Sequence, residues 1–199
     1  MAISDVQIAN FALSKIGDDS TIESLTENSS QANECNLWFD HSRRQALSAF
    51  SWSFAKARIT LATHGDDPPA NWGYRYQYPS AVIKARFIEN PAGRDADPIE
   101  FIIETSDDST RSILTDLNEA KLIFTKNITD PSLYSEFFIE ALAAVFASHI
   151  AYALTGKIKL QRSIAGEARF LLSSLAPALD AVEGQDGAER DSFAIRGRQ

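Results

Sequence analysis

Residues 129–156 run TDPSLYSEFFIEALAAVFASHIAYALTG and read as one helix with signals at both ends. Thr129 or Asp130 can cap the start, Pro131 suits a first turn, where the backbone N–H it lacks would have no intrahelical partner, and Gly156 suits the exit. Between them Phe137, Phe138, Ile139, Leu142, Val145, Phe146, Ile150, Tyr152 and Leu154 place apolar surface on nearly every face. A helix that is apolar all round has to be covered all round, so this segment is the central post of the fold. The interleaved alanines let neighbouring helices approach closely. One chain of 199 residues is expected to wrap the post incompletely, with neighbouring subunits supplying the rest. Phe137, Ala144, Ala147 and Ala151 are the candidates for that subunit packing.

The same stretch is long enough to span a bilayer. Glu140, Ser148 and His149 interrupt it, and an ionisable group at bilayer depth costs about 3 kcal/mol on insertion scales. No other segment resembles an anchor or a signal peptide, so no membrane association is expected. The net charge of −8 and pI of about 4.9 argue against a protein that grips nucleic acid along a basic footprint. An acidic wall can still surround a duplex that must slide past without sticking. The single cysteine, Cys35, excludes an internal disulfide and a multi-cysteine zinc site, and it sits on an apolar helical stripe as a buried bystander.

The remaining organisation follows from periodicity. A first helix is predicted from Ser4 to Ile16, closed by Gly17. A polar loop over residues 18–29 carries apolar anchors at Ile22 and Leu25. A second helix runs from Ser29 or Ser30 to Phe50. Its stripe is Ala32, Cys35, Phe39, Ala46, Ala49 and Phe50, with Asp40, Arg43, Arg44 and Gln45 mostly off it. From Trp52 the period changes to alternation, and residues 52–126 read as an antiparallel β insert of five or six short strands. After the central helix comes a last helix over residues 158–182, shortened or kinked by Pro177. Residues 184–199 form a Gly-, Asp- and Arg-rich arm carrying Phe193 and Ile195. The fold class is therefore α+β. About four antiparallel helices form a bundle from residues 1–51 and 127–183, with the β insert at 52–126 and an extended C-terminal arm at 184–199.

Catalytic signals are weak. No phosphate-binding loop, dinucleotide fingerprint, nucleophile elbow or zinc-protease motif is present. Asp18–Asp19, Asp66–Asp67 and Asp107–Asp108 are neighbours in loops, where turn formation accounts for them better than paired acid–base work. Glu136 and Glu140, one turn apart, could share a metal. The simpler reading has Glu136 complementing the helix start and Glu140 pairing with another helix or subunit. His149 reads as a core or interface histidine, His41 as surface or interfacial, and His64 as exposed. The run Trp72, Tyr74, Tyr76, Tyr78 invites a stacking role, but an aromatic strand face packed on the insert core explains it more economically. No catalytic centre, metal or cofactor is expected.

The order of these parts resembles a known family. Two N-terminal helices lead into Phe50-Ser-Trp52-Ser-Phe54. Trp72-Gly-Tyr-Arg-Tyr76 and Tyr78-Pro79 then open a strand with Val82 and Ile83. Leu122-Ile-Phe-Thr-Lys precedes Asn127-Ile-Thr-Asp130 and the Ala-rich helix with its Leu154-Thr-Gly end, and the chain closes on Asp191-Ser-Phe-Ala-Ile-Arg196. This layout looks like the tail tubular protein A family, the head-to-tail adaptors of short-tailed bacteriophages. Phe193 stands where that family's pattern has a tryptophan. The resemblance implies a structural virion protein in the tail or neck region, made in the host bacterial cytoplasm. A homo-oligomeric ring of about twelve copies would sit between the portal protein and the tail nozzle protein. Double-stranded DNA would pass through its lumen without sequence-specific binding, during genome retention and ejection. It also implies that the arm, through Arg190, Phe193, Ile195, Arg196 and Arg198, reaches the portal. Two other classes fit the composition: a virion-associated cell-wall hydrolase using paired carboxylates, and an assembly factor that leaves before the virion is complete.

Overall fold

The computed structural model describes residues 3–93, 96–105 and 109–175. It has an α+β architecture of four α-helices and two three-stranded antiparallel sheets. The chain divides into two compact units. One joins residues 1–53 to residues 131–199 and holds the helices; the other is residues 54–130 and holds the strands.

In the helical unit, α1 (Asp5–Lys15) starts in a capping box. Ser4 Oγ accepts from the Gln7 N–H at 3.2 Å, and Gln7 Oε1 accepts from the Ser4 N–H at 3.0 Å. Gly17 leaves the helix at φ +73°, where a side chain would be strained. The polar loop that follows is pinned by Asn10, which donates to the Ile22 carbonyl and accepts from its N–H at 3.0 and 2.9 Å. That brings Ile22 into the core, while Leu25 stays half-buried. Helix α2 (Ser30–Ala49) is capped by Ser29, whose hydroxyl accepts from the Ala32 N–H at 3.1 Å.

Two expectations for α2 change. Ala49 is exposed, because the chain turns extended at Phe50. Arg43 is buried: it follows Phe39 by four residues and so shares its face. Its guanidinium bonds Asp40 on the preceding turn. Trp52, which the alternation placed at the head of the β insert, belongs instead with the helices. Its indole N–H donates to the Ala46 carbonyl at 2.9 Å and its ring meets Phe138 edge-on at 5.0 Å.

Helix α3 (Glu136–Thr155) begins five residues later than a cap at Asp130 would place it. Pro131–Leu133 forms a separate 3-10 turn, and Tyr134 packs edge-on against Phe138 at 4.8 Å. Ser135 is then the cap, accepting from the Phe138 N–H at 3.3 Å. Gly156 ends the helix at φ +67°, and its N–H bonds the Tyr152 carbonyl at 2.9 Å. α4 (Ile158–Phe170) continues into a π-type turn, Leu171–Leu175, and buries Ile164, Ala168 and Leu171. Pro177 and the rest of the expected last helix lie outside the described residues.

Helix α3 packs against α1, α2 and α4. Among the described residues it is the one helix long and apolar enough to cross a membrane. Its middle is enclosed by its own chain: residues 141–147 are all buried, as are Ile150 and Ala151.

In the β unit, β1 (Lys56–Thr60), β6 (Lys121–Lys126) and β3 (Val82–Ile88) form one sheet in the order β1-β6-β3. The other is β2-β5-β4, from Tyr74–Gln77, Arg111–Thr115 and Phe101–Thr105. Single bridges, Thr63 to Tyr76 and Ile88 to Ile99, tie the two sheets around one core of Leu61, Tyr76, Val82, Ile88, Ile113, Leu122 and Phe124. Tyr76 is the hub: its ring is buried and its hydroxyl donates to the Leu117 carbonyl at 2.9 Å.

Candidate interaction surfaces

Side chains capable of chemistry are dispersed. Asp18 accepts bonds from the Ser20 N–H and the Gln31 amide, and these, the backbone bond foremost, hold its carboxyl below the usual range. A general acid needs the opposite shift. Asp66 lies beside His64 and Arg75. Asp107 and Asp108 are outside the described residues. Burial, with Glu34 and Asp18 nearby, pushes the Cys35 thiol up to about 11, so the thiolate that nucleophilic attack requires is scarce. Among the described residues no three His, Cys, Asp or Glu side chains group as a metal site. Glu136 and Glu140 line an apolar groove.

Of the aromatic run, Tyr74, Tyr76 and Tyr78 pack on the insert core. Tyr74 and Tyr76 stack at 6.2 Å, and the Arg111 guanidinium covers the Tyr78 ring at 3.9 Å.

Among the described residues of the helical unit, two apolar surfaces border α3; Leu133, Ile158 and Phe170 are further exposed apolar side chains. The first is a groove of about 600 Å³ between α1 and the start of α3, lined by Phe11, Lys15, Glu136, Phe137, Ile139 and Glu140. Phe11 is 48% exposed. Lys15 is held by Glu167 of α4 at 2.7 Å, which leaves the groove acidic in balance.

The second surface lies on α2 and the end of α3. Trp38 stacks on His149 with ring centres 4.8 Å apart and planes within 3° of parallel. His41 meets both rings edge-on, at 5.6 Å to Trp38 and 5.3 Å to His149. Gln45 and His149 share a hydrogen bond of 2.8 Å. Burial, then the neighbouring His41, lowers the His149 pKa. Leu37 at 68% and Tyr152 at 54% exposure extend this aromatic cluster outward.

The four residues expected to pack subunits divide. Ala144, Ala147 and Ala151 have no exposed surface, because α1, α2 and α4 already fill the space beside them. Phe137 is half-buried and borders the groove. Arg190, Phe193, Ile195, Arg196 and Arg198 lie outside the described residues. The sequence reading did not single out Leu37 and Trp38. The available signal was their position off the Ala32–Cys35–Phe39 stripe, where a polar helix face should carry no large apolar side chain.

No protein-family model matches the chain, and no curated protein matches it.

Proposed function

We propose that this chain is a structural virion protein, a head-to-tail adaptor whose ring joins the portal to the tail nozzle and lines part of the DNA channel, with no enzymatic turnover. The observation that carries the reading is the way the chain is laid out. One helical unit is assembled from two segments that a complete β unit separates, in the order the resemblance implies. The helices form an antiparallel bundle that makes the ring wall. The β unit serves the outer or tail-facing surface. Residues 184–199 reach the portal, with Phe193 and Ile195 on one face of an extended arm and Arg196 and Arg198 at its rim. The negative balance of the chain suits a channel through which DNA slides.

Co-sedimentation of arm variants with portal rings at two salt concentrations tests this. Phe193→Ala should weaken attachment strongly, since losing a buried aromatic anchor commonly costs about 2 kcal/mol or more. Arg198→Ala should weaken it mildly and mainly at low salt. Unchanged binding after deletion of residues 184–199 would remove the arm from the account.

A further inference from the structure

We infer that the two apolar surfaces bordering α3 are the two halves of one contact between copies of this chain. The α1/α3 groove of one copy receives the Leu37–Trp38–Tyr152 surface of the next. The inference rests on the ring reading and adds to it which faces meet.

A ring needs a heterologous contact, made by two different patches on well-separated sides of each subunit. Helix α3 is uncovered in two places. Near its start Glu136 and Glu140 are exposed and Phe137 is half-buried; near its end Tyr152 and Ala153 are exposed and His149 is half-buried. At 100° per residue the second set lies about 165° round the helix from the first, and roughly 20 Å further along it. The middle between them is closed. One helix thus opens in opposite directions at its two ends, which favours head-to-tail contact over a self-complementary one.

The chemistry of the patches is complementary. The groove offers Phe11 and Phe137 beside Glu136 and Glu140, and no ion pair engages either carboxylate among the described residues. The opposing patch offers Leu37, Trp38 and Tyr152 with Arg44, which lies seven residues, two turns, beyond Leu37 on the same side of α2. Its nearby carboxylate, Asp40, is already taken by Arg43, just as Lys15 in the groove is taken by Glu167. What remains is two carboxylates facing one guanidinium across apolar and aromatic surface. Tryptophan and tyrosine, both present here, are among the residues most often dominant in such contacts.

The test uses the full chain with its portal. Phe11→Cys and Leu37→Cys are introduced singly and together, and assemblies are treated with a short bis-maleimide; Cys35 is buried and stays silent. The double variant should give a ladder of linked dimers, trimers and larger species, at least about ten-fold above either single variant. In parallel, Arg44→Glu should reduce assembly about ten-fold or more, and adding Glu136→Arg with Glu140→Arg should restore it. Three results overturn the inference. Assembly without cross-linking at this pair rejects these faces and leaves the ring reading intact. Linked dimers from the single variants, with no ladder, show a self-complementary contact. A parent chain that stays monomeric with portal removes the ring and this contact together.

Discussion

The two units of this molecule solve the burial problem differently. The helical unit closes around one post, α3, and its tightest layer is alanine: Ala141, Ala143, Ala144, Ala147 and Ala151 are all essentially without exposed surface. The β unit closes around large residues from two small sheets, with Tyr76 at the hub and its hydroxyl satisfied by a carbonyl. The helical core therefore depends on close approach of backbones, and an added methylene has nowhere to go. The β core depends on a few large side chains, with the Tyr76 hydroxyl hydrogen-bonded at its hub. Sequence locality differs as well: the strands pair within residues 56–126, whereas the helical unit must bring residues 1–53 and 131–175 together. The helices are thus the part that waits on distant contacts.

Substitutions can break or sharpen this contrast. The largest effect is expected from Phe138→Ala, which empties a fully buried site between Trp52 and Tyr134. Chemical denaturation followed by helical circular dichroism should show a loss of about 3–5 kcal/mol. Ala147→Leu should cost about 1–3 kcal/mol through overpacking, and a neutral result would mean that the alanine layer is looser than the contrast requires. Tyr76→Phe keeps the ring and removes the bond to Leu117. It should cost about 1 kcal/mol, read on the β unit through Trp72 fluorescence in a chain whose other tryptophans are replaced.

The smallest effect concerns pH. His149 has a folded pKa below its ordinary 6.5, from burial first and His41 second. The unfolded chain then binds more protons, so this contribution to stability is present above pH 6.5 and is lost as pH falls through the lowered folded value. His149→Gln should flatten the stability–pH curve in that window, and an unchanged slope would show that His149 is not its source.

Much of the fold was legible because it is local. Ser4, Ser29, Gly17 and Gly156 announce helix ends through hydrogen-bonding groups and backbone freedom that act within a few residues. The alternation over Tyr74–Gln77 and Val82–Ile88 likewise marks strands. The misread points depend on distant partners. Pro131 looked like a helix start, but Tyr134 is drawn onto Phe138 and Ser135 takes over the cap. Arg43 reads as lying mostly off the apolar stripe, yet its position one turn after Phe39 buries it. The apolar periphery of α3 was readable as needing cover. That much of the cover comes from α1, α2 and α4 of the same chain, with exposed positions toward the two helix ends among the described residues, was not, since it depends on how closely the alanines let those helices approach.

The central claim is that copies of this chain close into a ring on a portal. Native mass spectrometry of the full chain mixed with its cognate portal tests it most directly. The account predicts one discrete complex carrying a complete ring of about twelve adaptor copies on the portal, with few partly loaded species. A spectrum showing free monomer and bare portal at all mixing ratios would contradict it.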